Sequence, residues 1–267
     1  MITSELKGHS GCKIYLCEKK GKKFVRKISK SRKYNIRLRK QAEKQNHFRS
    51  NLLKTPEIFD DGIINSLYYF DMEYINGMTF SSFISKNTIQ NIDPALDRVL
   101  SHIGESASGK KNYTTLIYKK IFDLEEVISC DIGEYKRYCM DYDWSAVPSG
   151  TCHGDLTFEN IIIYKSEPFL IDFLDSFIDT TYIDLSKMQQ DTLLLWSWRN
   201  AQAAPIIKNI YIHNRICSSM DKYALGATNR LLVLNLLRIL PYSDKKTCTM
   251  VKNRLNYIMK RLKKCEL

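Results

Sequence analysis

Apolar and polar residues alternate in three short stretches at the start of the chain: Ile2 to Leu6, Lys13 to Glu18 and Lys23 to Ser29. A period of two is that of a strand with one buried face. Gly8-His9-Ser10-Gly11 separates the first pair and Lys19-Lys20-Gly21-Lys22 the second, so the spacing predicts an antiparallel meander. The period then changes. Ile36, Leu38, Ala42, Phe48 and Leu52 mark one face of a helix predicted over 35–53, whose other face is almost all Lys, Arg and Gln. Two more strands are predicted, near Ile63–Ile64 and over Leu67 to Tyr74, and Asn76-Gly77 ends the run as the natural seam of the chain.

Beyond Gly77 helical periodicity dominates, at about 79–86, 93–106, 112–129 and 131–142, with Asp93-Pro94 as a start signal for the second of these. Residues 150–173 return to loop and strand, with Ile161 to Tyr164, a turn at Ser166-Glu167-Pro168, and Phe169 to Phe173. Residues 184–265 read as helices again. The pattern predicts an α+β protein of two lobes: a small antiparallel-sheet lobe over 1–77 and a larger, mainly helical lobe over 78–267.

Composition narrows the class. With 267 residues, 44% hydrophobic and 26% charged, the chain can bury a sizeable core and is not disordered. Its most apolar run, Leu231 to Leu240, is broken by Asn235 and Arg238 and is too short to cross a membrane. The first residues lack the apolar centre of a secretion signal, so a cytoplasmic location is expected. Eight cysteines without zinc-knuckle or redox spacing are expected to be reduced thiols in the core.

The net charge of +12 is unevenly spread. Residues 7–54 carry 17 Lys/Arg against Glu18 and Glu43 alone, residues 55–185 are acidic by 13 charges, and residues 186–267 carry 15 basic side chains against 4 acids. Such segregation fits phosphate binding, a nucleic acid, an anionic membrane surface or simply solvated faces.

The chemistry lies in His153-Gly154-Asp155-Leu156-Thr157-Phe158-Glu159-Asn160, followed by Ile171-Asp172-Phe173. Moving a phosphoryl group from ATP to a hydroxyl needs a carboxylate to orient the hydroxyl and take its proton, and oxygen ligands for Mg²⁺. Asp155 suits the first task. Asn160 offers an amide oxygen and Asp172 an anionic ligand, and the apolar runs between them predict a two-stranded ribbon that brings both to one place.

In order and spacing these residues, continued by Tyr182-Ile183-Asp184-Leu185, resemble the aminoglycoside phosphotransferase and choline kinase-like family, the small-molecule branch of the protein-kinase-like fold. The resemblance implies an ATP- and Mg²⁺-dependent kinase with Asp155 as catalytic base and Asn160 and Asp172 on the metal. It implies that Lys27 reaches the nucleotide phosphates and pairs with Glu43, the one acid of the basic helix, with Arg26 as the competing cation. Gly8, Ser10 and Gly11 would form the loop over the phosphates, and the backbone of Glu73 and Ile75 would read the adenine edge. His153 is expected to support the loop by hydrogen bonding.

Gly154 stands where protein kinases have arginine, and no glycine follows Phe173, which points away from a conventional protein kinase. The expected activity is phosphorylation of a hydroxyl on a small molecule, a sugar or amino alcohol of surface-polysaccharide or lipid metabolism. An atypical protein kinase and a catalytically silent module with a basic face are the alternatives. The basic tail favours an anionic or membrane-surface acceptor over a polycationic one, although Asp123, Glu125, Glu126, Asp131 and Glu134 could form an acidic rim. Too few aromatics are interleaved with the lysines to favour single-stranded nucleic acid. Trp144, Trp196 and Trp198 are read as core or interface residues, with the last two on a helix.

Overall fold

The computed structural model describes residues 2–6 and 11–265, with side chains as far as residue 262. The chain forms two compact units, Met1–His102 with His153–Asp175, and Ile103–Cys152 with Ser176–Leu267. The seam expected at Gly77 therefore falls inside the first unit.

The first stretch runs β1 (Ile2–Leu6), β2 (Lys13–Lys19), β3 (Lys22–Ile28), α1 (Asn35–His47), β4 (Ile58–Ile64), β5 (Leu67–Glu73), β6 (Met78–Thr79), α2 (Phe80–Lys86) and α3 (Ile89–Glu105). Five strands make one antiparallel sheet in the order β1-β2-β3-β5-β4. Lys20 and Gly21 both take positive φ, 51° and 75°, as a two-residue hairpin turn requires. Alternate residues of β5, Tyr68, Phe70 and Met72, share a face with Val25 of β3 and pack on Leu38 and Ala42 of α1. Burying each large apolar side chain there contributes roughly 1.5–3 kcal/mol.

Helix α1 stops at His47, short of the expected Leu53. Phe48 is extended, and the Ser50 hydroxyl accepts the N–H groups of Leu52 and Leu53, a local turn that competes with the helix. Phe48 instead packs between His102 and Phe173, with ring centroids 5.1 and 5.3 Å away. Helix α3 begins before the expected Asp93-Pro94 start, and Pro94 lies inside it.

The second stretch holds β7 (Ala107–Lys111), α4 (Thr114–Val127), α5 (Gly133–Met140) and β8 (Val147–Gly150). β7 and β8 pair antiparallel across the intervening α4 and α5, a pairing the sequence hides because β7 is exposed along its whole length and carries no alternation. The third stretch returns to the first unit with β9 (Ile161–Tyr164) and β10 (Glu167–Leu170), which join β6 in a three-stranded sheet ordered β10-β9-β6. Lys54 bridges to Phe169 and ties this ribbon to the segment after α1.

The last stretch holds α6 (Tyr182–Leu194), α7 (Ile206–Ser218), α8 (Lys222–Leu237) and α9 (Lys245–Cys265). Asn235, the polar break in the apolar run of α8, is buried and donates to the Ser186 hydroxyl of α6 at 2.8 Å. Trp144 is fully buried and its Nε1 donates to the Cys139 carbonyl, as a core tryptophan should. Trp196 to Trp198 forms a 3-10 turn in place of the expected helix, because Leu195 turns left-handed at φ 54° and ends α6. Helix α9 buries Val251, Leu255, Ile258 and Met259 and carries no acid. The seven cysteines from Cys12 to Cys248 form no disulfide among the described residues, and no helix among those residues is long and apolar enough to cross a membrane.

Candidate active site

The segments entering β9 and leaving β10 lie together at the end of the ribbon opposite its 165–166 turn, and they carry His153, Asp155, Asn160 and Asp172. Before β9, the Asp155 carbonyl accepts the Thr157 N–H at 2.7 Å and the Asn160 Nδ2 at 2.8 Å, closing a compact turn. Nδ2 also lies 3.3 Å from Asp155 Oδ2. With the amide nitrogen so engaged, Oδ1 of Asn160 is the atom suited to a cation. The Asn160 carbonyl accepts the Ile171 N–H at 3.0 Å and so links the two loops.

His153 is the post that holds them. Its Nε2 meets the Ile171 carbonyl at 2.7 Å and its Nδ1 accepts the Asp155 N–H at 3.2 Å, which assigns the proton to Nε2. Burial pushes its pKa down to about 4, against the pull of the Ile171 carbonyl, so the ring is neutral at ordinary pH. Gly154 sits at φ +89°, and a Cβ there would lie 2.4 Å from the Leu174 carbonyl oxygen. Backbone approach explains why glycine stands at this position.

After β10 the strand ends at Leu170, three residues before the expected Phe173, and Asp172 turns left-handed at φ 60°. A non-glycine residue held there is strained by roughly 1–3 kcal/mol, a cost tolerated mostly where function requires the geometry. Its Oδ1 accepts a hydrogen bond from Lys27 Nζ at 2.8 Å. Lys27 is only 2% exposed. Burial disfavours its charge, but the carboxylate of Asp172 outweighs that and raises its pKa above the ordinary lysine value. Arg26, the competing cation, points to the other face of β3 and is engaged by Asp71 through two bonds of 2.7 and 2.6 Å. Of the two cations, Lys27 is the one that reaches Asp172.

The expected Lys27–Glu43 pair is a correction. Lys27 pairs with Asp172, and Glu43 lies exposed on the side of α1 opposite the buried Gln41 and Gln45. Helical geometry explains this, since residues 41 and 45 share the core face and residue 43 lies 200° round from 41. What α1 brings to the site is cationic. Lys44 donates to the Leu174 carbonyl at 2.8 Å, and Lys40 lies 3.2 Å from Asp175. Sequence reasoning missed both, because in a tract this basic nothing distinguishes one lysine from its neighbours.

Of the expected phosphate loop, Gly8 and Ser10 lie outside the described residues. Gly11 takes φ +73° ahead of β2. In the segment expected to read adenine, the Glu73 N–H bonds the Glu57 carbonyl and the Ile75 carbonyl accepts the Gly77 N–H, both at 2.9 Å. A Cβ on Gly77 would lie 2.4 Å from the Ile163 carbonyl oxygen, so glycine is required where β6 joins the ribbon.

The acidic side chains weighed as an acceptor rim, Asp123, Glu125, Glu126, Asp131 and Glu134, are exposed in the second unit. Glu125 pairs with Lys136, and Asp131 accepts the Gly133 N–H. A carboxylate and an amide oxygen, Asp172 and Asn160, are hard donors of the type Mg²⁺ takes. The donor set fits that ion.

No family model matches the chain. One curated relative, the ribosome maturation factor RimM of a Nitratiruptor species, is 28% identical over 157 residues, covering 52% of this chain and 90% of that protein. Among solved structures, a thermostable mutant of the aminoglycoside phosphotransferase APH(4)-Ia in complex with AMP-PNP and hygromycin B has a TM-score of 0.70 at 13% identity, covering 96% of this chain and 92% of that one. Choline kinase LicA from Streptococcus pneumoniae has a TM-score of 0.62 at 16% identity, with coverages of 98% and 95%. A putative fructosamine-3-kinase from Haemophilus somnus 129PT has a TM-score of 0.59 at 14% identity, with coverages of 97% and 92%. Nearly the whole chain therefore shares one α+β fold with these three solved structures, as the residues from His153 to Asn160 led us to expect.

Proposed function

We propose that a protein with the aminoglycoside phosphotransferase fold and this loop is an ATP- and Mg²⁺-dependent phosphotransferase that phosphorylates a hydroxyl of a small molecule. The observation that carries the reading is the Lys27–Asp172 ion pair beside the Asp155–Asn160 turn, which unites a buried cation, a metal-type donor pair and a carboxylate in one unit. The fold supports it too, since a solved structure of that fold holds AMP-PNP together with hygromycin B.

In this mechanism the half-buried carboxylate of Asp155 orients the acceptor hydroxyl and takes its proton. Asn160 and Asp172 would hold Mg²⁺, which neutralises charge on the phosphates when bound. Lys27 steadies the phosphates of the departing nucleotide. Neutral His153 keeps the Asp155 N–H and the Ile171 carbonyl in place, so that both loops stay aligned. The acceptor we propose is a sugar or amino alcohol of surface-polysaccharide or lipid metabolism, and the basic tail over 186–267 favours an anionic or membrane-surface form of it.

The test is Mg²⁺-dependent ATP consumption by wild type and Asp155→Asn against sugars, nucleotide sugars, choline-type amines and aminoglycosides. Turnover with one acceptor class, reduced about 10²–10⁴-fold in the variant while ATP still binds, is the expected result. Labelling of protein instead would favour the atypical protein kinase. Absence of ATP binding would sink the reading, leaving the basic N-terminal segment and the partial likeness to a ribosome maturation factor to be pursued.

A further inference from the structure

A buried ammonium and a buried, unsatisfied amide oxygen lie beside the same pair of strands. Gln41 is 2% exposed, its Nε2 lies 3.4 Å from the Tyr34 hydroxyl, and its Oε1 has no hydrogen-bond partner. Leaving a buried carbonyl unpaired forfeits its hydration with nothing in return, so the atom needs a reason.

The register supplies one. Helix α1 runs alongside β5 and in the same direction. Near its start the Asn35 side chain bonds the Ser66 carbonyl and the Tyr68 N–H, and near its end Gln45 Nε2 lies 3.0 Å from the Pro56 carbonyl and 3.6 Å from Met72 Sδ. A helix rises ~1.5 Å per residue and a strand ~3.3 Å, which sets Gln41 level with Phe70. Phe70 is the register partner of Lys27. Lys27 also shares the face of β3 with Val25, which packs in the cluster with Leu38 and Ala42 of α1. Tyr34, the neighbour of Gln41, lies within electrostatic reach of Lys27.

We propose that Gln41 is the second acceptor for Lys27: its Oε1 takes one N–H of the ammonium when Asp172 lets it go, and keeps the lysine aimed at the nucleotide phosphates. The proposal rests on the phosphotransferase reading above and makes Gln41 a positioning residue. An ammonium has three donors, so it can serve the amide and a phosphate together. A neutral amide also leaves the charge of Lys27 undiminished, which a carboxylate from α1 would partly cancel.

The experiment measures MgATP binding by calorimetry, which needs no acceptor, together with the thermal midpoint. Gln41→Leu keeps the volume and removes the unpaired oxygen. It is expected to weaken MgATP binding roughly tenfold, the worth of one hydrogen bond to a charged group, while Tm holds or rises. Gln41→Glu is expected to keep most of the affinity. In a Lys27→Met background the Gln41→Leu change should have no further effect on binding, because the group it serves is gone.

Unchanged affinity in Gln41→Leu, or an equal loss in the Lys27→Met background, overturns the proposal. So does affinity lost only in step with a falling Tm in both Gln41→Leu and the alternative Gln41→Met. A folded wild type that binds no ATP defeats the underlying reading instead, a result distinguishable from all of these.

Discussion

Gly154 and Asp172 both take positive φ, and the two residues constrain each other through Leu174. The Leu174 N–H bonds the His153 carbonyl at 3.0 Å, and the Leu174 carbonyl occupies the space a side chain at 154 would need. Gly154→Ala must therefore move the 172–175 loop or break that bond. Strain of about 1–3 kcal/mol is expected, read as a lower Tm, with weaker MgATP binding as Asp172 shifts. Unchanged values for both would show that the loops move independently. Asp155, Asn160 and Asp172 stand out in the sequence because their chemistry and spacing are distinctive, and the structure adds the turn that joins the first two and the Lys27 contact of the third. Glu43 could not be placed, because being the sole acid in a basic tract says nothing about which side of the helix it occupies.

The ribbon and the helix beside it were legible to different degrees. β9 is a continuous apolar run, and Phe169 to Ile171 is another just after the Ser166-Glu167-Pro168 turn, a pattern with few other solutions. The end of α1 was hidden, since Ser50 redirects the chain through bonds to Leu52 and Leu53 that periodicity does not reveal. β7 was hidden for the opposite reason, as a strand exposed on both faces has no alternation to detect. At this scale Gly77 is the position to test. Gly77→Ala would press a methyl group on the Ile163 carbonyl and push β6 off β9, with an expected loss of about 1–3 kcal/mol in unfolding free energy. Chemical denaturation measures it, and an unchanged midpoint would mean that β6 adjusts freely.

Across the whole molecule, each unit contains a histidine kept neutral by burial. His153 in the first and His213 in the second both have pKa values lowered to about 4, the latter also by Arg261. Because an unfolded histidine titrates near 6.5, the unfolded chain binds protons first as pH falls from there toward 4. Stability is thus fully present above about 6.5 and declines below it, by up to ~3 kcal/mol per group. Thermal midpoints between pH 7.5 and 5 check this, and His213→Gln should flatten the slope. A slope that does not change would mean that carboxylates dominate the acid response.

The first unit is assembled from two sequence segments with fifty residues of the second unit between them. Lys27 and Asp172, its ion pair, stand 145 positions apart. On a ribosome, which adds residues from the N-terminus, the sheet of β1 to β5 emerges long before the ribbon that completes its unit. A lysine built to lie 2% exposed then waits without its carboxylate. Closing so long a loop is slow as well as entropically costly. The first unit, though begun first, is expected to fold late, and nascent chains stalled before residue 172 should remain protease-sensitive where chains stalled well after it do not.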